Sequence, residues 1–98
     1  MNKTHLLIGG NEGDSVARLA QAREYLERSA GSIVLASSLY QTAPWGKTDQ
    51  PDFINQALAL ETPFGATALM ALLLQIEENM GRRRGEKWAS RIIDIDIL

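Results

Sequence analysis

Apolar side chains recur along this chain with two different periods, and an element ends wherever the period changes. Leu6, Leu7 and Ile8 form a short apolar run stopped by Gly9 and Gly10, which predicts a buried strand followed by a tight turn. Asp14 or Ser15 can cap a helix running to about Ala30. Val16, Leu19, Ala20 and Leu26 fall at helical spacing within it, and Gly31 terminates it. Ser32 to Thr42 then alternates as a strand: Ile33, Leu35 and Leu39 share one face, and Val34, Ala36 and Tyr40 share the other. Ala43 to Asp52 holds two prolines, one glycine and three charged residues and is a loop, longer than a hairpin needs. Long ordered loops carry function disproportionately. Phe53 to Glu61 resumes the alternation, with Ile54, Leu58 and Leu60 on one side and Phe53, Asn55, Ala57 and Ala59 on the other. Leu69, Leu72, Leu73, Ile76 and Met80 give a second helix from about Ala66 to Met80, with Gly81 as the left-handed residue after its end. Glu77 is assigned to the polar side of that helix. A basic loop and a strand from Ile92 to Leu98 complete the chain.

The order strand, helix, strand, strand, helix, strand predicts an α+β fold. It is the ferredoxin-like βαββαβ arrangement, an antiparallel sheet with both helices on one face. Residues 1–98 read as one domain, without internal repeat or linker. The 45% hydrophobic and 22% charged fractions are those of an ordinary globular protein. A net charge of −2 gives little attraction to nucleic acid or to a membrane surface, so neither is expected as a partner. With no cysteine there is no disulfide framework and no thiolate metal site. No stretch reaches membrane-spanning length and no targeting segment is visible, so the expected location is the cytoplasm.

The chemistry concentrates in the last eighteen residues, GRRRGEKWASRIIDIDIL. Asp94 and Asp96 alternate with Ile93, Ile95 and Ile97, placing two carboxylates on one strand face about 7 Å apart at their Cα atoms. Such a pair can bind a hard cation like Mg²⁺, which takes one or two carboxylates along with phosphate and water oxygens. A charged outer face that protects an edge strand would look the same. Arg82, Arg83, Arg84, Lys87 and Arg91 lie just upstream, in a loop punctuated by Gly81 and Gly85. Guanidinium groups grip phosphate bidentately, and five basic residues exceed what a helix C-terminus needs. Trp88 either anchors the core or covers a ligand. Cation and anion sites side by side suggest a metal–nucleotide complex.

A second group lies in YQTAPWGKTDQPDFINQA, from Tyr40 to Ala57. Thr42, Trp45, Phe53 and Asn55 offer a flat apolar surface with a few polar partners, which suits a planar heterocycle. Taken singly, Phe53 reads as core and Asn55 as a turn-end or bulge residue. GGNEGD, Gly9 to Asp14, matches neither a phosphate loop nor a dinucleotide fingerprint and reads as a structural turn. His5, the sole histidine, has no partner for a triad or metal site and reads as structural.

The segments YQTAPWG…QPDFINQA and IEENMGR, and above all R-x-R…W-x-x-R-I-I-D-I-D-I-L, resemble the 6-hydroxymethyl-7,8-dihydropterin pyrophosphokinase family of folate biosynthesis. The resemblance runs from the first strand to Leu98; it is weaker at Gly10, where the family usually has serine. It implies transfer of pyrophosphate from ATP to the pterin hydroxymethyl group, releasing AMP. It assigns two Mg²⁺ ions to Asp94 and Asp96, and phosphate contacts to Arg82 and Arg91. Arg84, Lys87 and Trp88 would lie in a loop closing over ATP, with Glu77 and the Ile97 backbone along the nucleotide site. Thr42, Pro44, Trp45, Phe53 and Asn55 would line the pterin pocket. Fusion to or association with other folate-pathway enzymes is a further implication.

The family normally continues beyond D-I-D-I-L with strands that supply more ATP and pterin contacts, whereas this sequence stops at Leu98. The expectation is that the activity belongs to a longer parent protein and that the 98-residue chain alone is weak or inactive. Two other readings stay open: a truncated inactive relative, and a non-catalytic ferredoxin-like domain that binds a small molecule or regulates.

Overall fold

A computed structural model describes residues 1–44, 49–82 and 91–98. Its elements are β1 (Asn2–Gly10), α1 (Ser15–Ser29), β2 (Ser32–Ala36), β3 (Tyr40–Thr42), β4 (Phe53–Thr62), α2 (Ala66–Asn79) and β5 (Asp94–Ile97). The strands form one antiparallel sheet in the order β2-β4-β1-β5, with β3 also paired to β4. Leu6 and Ile8 of β1, Leu58 and Leu60 of β4 and Ile95 of β5 meet Leu19 and Leu26 of α1 and Leu69, Leu73 and Ile76 of α2 in one core. Both helices therefore cover the same face, as the ferredoxin-like reading requires. Among the described residues, no helix is long and apolar enough to cross a membrane.

Each helix has an identifiable start or stop. Asp14 caps α1, its carboxylate accepting the Ala17 N–H at 3.1 Å, an interaction that contributes about 1 kcal/mol in typical helices. Gly31 follows the helix where a Cβ would run into the Glu61 carbonyl, so the chain can pass β4 only as glycine. The end of α2 is a Schellman turn: Gly81, at φ +91°, donates to the Glu78 carbonyl, and Arg82 donates to the Glu77 carbonyl, both at 3.0 Å. That turn folds Arg82 back over the last turn of its own helix.

Four expectations from the pattern are corrected. Gly9 and Gly10 do not make a turn; they are the last two residues of a nine-residue strand. Glycine is needed there by its neighbours, since a Cβ on Gly9 would lie 2.5 Å from Asn55 Oδ1 and one on Gly10 would overlap the Ile92 carbonyl. Val16, assigned to the buried stripe of α1, is 54% exposed; Ala22 takes its place. Glu77 is not on a polar face but is 3% exposed.

The fourth correction concerns Ser32 to Thr42, which is two short strands. Ile33 pairs with Leu60, but Leu35 pairs with Ala59, so two steps along the edge match one along β4. Ala36 pairs with Leu58 and Tyr40 with Asn55, so four steps then match three. Each extra residue flips the side chains beyond it to the opposite face. Ile33 faces the core, whereas Leu35 turns outward and is 65% exposed. Ser37 holds the break: its N–H donates to the Ala57 carbonyl and its hydroxyl accepts the Ala57 N–H, each at 2.9 Å. The second shift leaves Thr42 opposite Phe53, on the face away from the helices.

Candidate functional site

The two groups of residues singled out in the sequence come together on that open face. Tyr40 pairs with Asn55, Asn55 with Gly9, and Gly9 with Asp94, one row across four strands. Partners in a ladder share a face, so Asn55 and Asp94 stand on either side of Gly9, with Cα atoms about 10 Å apart at normal strand spacing. Gly9 carries no side chain between them. Asn55 fills part of that space and donates from Nδ2 to Thr42 Oγ1 at 2.8 Å. Half-buried Phe53 lies on the same face opposite Thr42, and half-buried Pro44 follows β3 by two residues. Asp96 occupies the next row, opposite Leu7.

The phosphate-side candidates gather around the edge strand β5. One guanidinium nitrogen of Arg82 donates to Glu77 Oε2 at 2.8 Å and to Asp94 Oδ1 at 2.7 Å. Arg91 approaches Asp94 Oδ2 at 3.3 Å. Glu77 Oε2 also accepts the Ile95 N–H at 2.7 Å, tying the end of α2 to β5. Ile97 lies opposite Leu6 on the helix side of the sheet, contributing side chain to the core and backbone to the edge. Trp45, Arg84, Lys87 and Trp88 lie outside the described residues.

Two acids in this cluster are harder to ionise than usual. Burial raises Glu77, against the opposing pull of the Ile95 N–H and Arg82. Burial first, and then the adjoining Asp94 carboxylate, push Asp96 up to about 6. Two neighbouring carboxylates, one of them harder to ionise than usual, are a fitting donor pair for a hard divalent ion. Among the described residues no group of three or more acid, histidine or cysteine ligands converges. Asp94 and Asp96 would thus supply part of a coordination shell, with phosphate and water the natural completion.

The raised pKa of Asp96 makes stability depend on pH with a definite sign. A folded-state value above the unfolded one favours the protonated folded protein, so this contribution is present below about pH 4 and is lost as pH rises through about 6. The metal-free protein is expected to lose this contribution to melting temperature between about pH 4 and 6, and Asp96→Asn to remove much of that loss. Thermal melts across this range check it; identical pH profiles for the two proteins would contradict the assignment.

Two participants escaped the sequence pattern. Glu77 sits four residues after Leu73 and eight after Leu69, so helical spacing already placed it on the buried stripe despite its charge. Asn11, in the segment read as a turn, is 3% exposed and hydrogen-bonded to both flanking loops. No local signal marks it, because its partners are some 40 and 80 residues away.

A family model described as 7,8-dihydro-6-hydroxymethylpterin-pyrophosphokinase matches residues 5–98. A 2-amino-4-hydroxy-6-hydroxymethyldihydropteridine pyrophosphokinase of Methylorubrum extorquens is 43% identical over 99 residues, covering 100% of this chain and 63% of the relative. The protein of the same name in Bacillus subtilis is 37% identical over 98 residues, covering 99% and 59%. The mitochondrial folate synthesis bifunctional protein of Pisum sativum is 40% identical over 93 residues, 95% of this chain and 18% of the relative. The chain thus spans about three fifths of the length of these bacterial relatives. With the family model matching through β5 and the Methylorubrum relative 43% identical over the whole chain, this chain belongs to the 7,8-dihydro-6-hydroxymethylpterin-pyrophosphokinase family.

Proposed function

We propose that the intact protein carrying this sequence transfers pyrophosphate from ATP to 6-hydroxymethyl-7,8-dihydropterin, giving AMP and the pterin diphosphate in folate biosynthesis. Residues 1–98 would act as one pyrophosphokinase-like unit within it. The observation that carries the reading is the row Asn55–Gly9–Asp94. The row sets an amide and a carboxylate side by side, at a separation that would suit a pterin whose hydroxymethyl arm reaches toward bound triphosphate.

In this reading Asn55 hydrogen-bonds the pterin edge, Thr42 holds the Asn55 amide in orientation, and Phe53 packs on the ring with Pro44 and Trp45 beside it. Asp94 and Asp96 would hold Mg²⁺, two ions by analogy with the family, which would supply charge neutralisation at the phosphates and a more acidic attacking hydroxyl. Arg91, and Arg82 on exchanging a carboxylate for phosphate, stabilise charge developing in transfer; Glu77 holds Arg82 in reach. Arg84, Lys87, Trp88 and the Ile97 backbone complete the nucleotide site. Phosphoryl-type transfer asks the protein mainly for positioning and electrostatic stabilisation, which this set of groups provides without a strong side-chain base. Like the pea relative, the protein would work alongside other folate enzymes, fused or associated.

Measuring AMP release from Mg-ATP and the hydroxymethyl pterin tests the reading directly. Pterin-dependent AMP formation by the intact protein supports it, and its absence refutes it. The 98-residue chain alone is expected to turn over weakly or not at all. Gly9→Ala offers a finer check: the new methyl group displaces the Asn55 amide and should weaken pterin binding about tenfold, a cost in the ordinary range for overpacking. Unchanged pterin KM in that variant would argue against Asn55 as the reader of the ring.

A further inference from the structure

We propose that Gln56, oriented by Arg23, is a positioning residue for the pterin side of the site: it keeps Thr42, rather than its neighbour Gln41, opposite Phe53. This role rests on the proposed function and extends it to side chains on the other face of the sheet. The device begins at Ser37, where one bond of the ladder is exchanged. In a regular hydrogen-bonded antiparallel pair, each residue's carbonyl accepts the other's N–H. Ser37 and Ala57 keep half of that pattern, the Ser37 N–H donating to the Ala57 carbonyl at 2.9 Å. In the other half the Ala57 N–H donates to the Ser37 hydroxyl, also at 2.9 Å. The hydroxyl has taken its own carbonyl's place in the ladder.

A displaced carbonyl needs a new donor. Gln56 supplies it, Nε2 donating to the Ser37 carbonyl at 2.7 Å. Gln56 is 7% exposed and pairs with Ile8, so its side chain lies on the helix side of the sheet. There Arg23 of α1 donates to Gln56 Oε1 at 2.7 Å. A guanidinium can only donate, so it fixes which end of the amide meets Ser37; the flipped amide would set NH₂ against guanidinium and oxygen against carbonyl. The consequence appears farther along the edge. Continued beyond the Ala36–Leu58 pair, the β2 register would bring Leu39 opposite Asn55 and Gln41 opposite Phe53. The observed pairs are Tyr40–Asn55 and Thr42–Phe53, and in them the Thr42 hydroxyl accepts from Asn55 Nδ2. Without Gln56 the Ser37 carbonyl can reclaim the Ala57 N–H, which favours the continued register and turns Thr42 to the other face.

The test is steady-state AMP release by the intact protein, with pterin and Mg-ATP varied separately. Gln56→Leu keeps the buried bulk and removes both amide bonds. It should raise the pterin KM about tenfold, the scale of one hydrogen bond, while kcat and the KM for Mg-ATP change less than about twofold. Gln56→Glu separates positioning from general support of the fold. Its carboxylate keeps Arg23 as an ion pair but turns an acceptor toward the Ser37 carbonyl, so the melting temperature should hold while the pterin KM rises as with leucine. Arg23→Ala, at a half-buried helix position, should raise the pterin KM about threefold by freeing the amide to turn, and it reads the same effect if the Gln56 variants do not fold. In a Thr42→Ala background Gln56→Leu should add less than about twofold, because it acts through Thr42. An unchanged pterin KM in Gln56→Glu and Arg23→Ala, equal losses in all kinetic parameters, or full additivity with Thr42→Ala overturns the inference and leaves the proposed function standing. Intact wild-type protein that forms no AMP in response to pterin removes the proposed function, and this role with it.

Discussion

Changing Asp94 and Asp96 together to alanine is expected to abolish Mg²⁺-dependent nucleotide binding and to cut pyrophosphate transfer at least about a thousandfold, the scale on which loss of transition-state charge stabilisation is felt. The single variants should differ in stability although both lose activity. Asp94 accepts from Arg82 and pairs with Arg91, so its removal leaves two partly buried cations with fewer partners and lowers the melting temperature. Asp96 is the member harder to ionise, lifted to about 6 by desolvation and by the Asp94 carboxylate beside it although the residue is exposed at the surface. Asp96→Asn should therefore make the metal-free protein more stable at neutral pH while leaving it inactive, the usual sign of a residue kept for function at a cost in stability. Calorimetric titration with Mg-nucleotide and an AMP-release assay would decide it. Nucleotide binding that survives the double change in a magnesium-dependent form would sink the metal assignment.

The second large effect is structural. Glu77→Ala is expected to destabilise the fold by roughly 3 kcal/mol, the range seen when one partner of a buried ion pair is removed. It strands Arg82 with Asp94 as its remaining described carboxylate and leaves the Ile95 N–H without its acceptor. Glu77→Gln keeps an acceptor for Ile95 and relieves the burial of a charge that already resists ionisation, so it should cost about 1 kcal/mol, one ordinary hydrogen bond. Activity should fall in both, because Arg82 is no longer aimed. Urea denaturation separates the two variants. Equal, near-zero losses would show that the Schellman turn places Arg82 without help from Glu77.

How far the sequence foretold this arrangement depends on the range of the interactions. The two helices with strands on either side of each, the isoleucine-in, aspartate-out alternation of β5 and the Gly81 helix stop rest on spacing or local backbone preference, and all appear in the structure. The face shared by Phe53, Asn55, Ala57 and Ala59 follows from period two alone and also holds. The split of Ser32–Thr42 was not legible, since a bulge is fixed by the partner strand and by Ser37 capping it. Gly9 and Gly10 look like turn residues until the strands beside them are known. Glu77 was legible by spacing and masked by its charge. The roles proposed for Asp94, Asn55 and Arg82 came from the family likeness; the chain's own pattern supplied cation, anion and heterocycle chemistry but not the register that unites them.

That register also bears on how the protein is made. β1 precedes the other described strands in the sequence and lies inside the sheet, with β4 on one side and β5 on the other. Leu6 pairs with Ile97, so one flank of β1 has no partner until nearly the whole described chain has been translated. Contacts of such long sequence separation close late and slowly. During synthesis the nascent sheet exposes an unpaired, apolar strand edge, a surface open to pairing with other chains. The row that joins Asn55 to Asp94 therefore closes only after the strands and helices lying between its members in the sequence have been made.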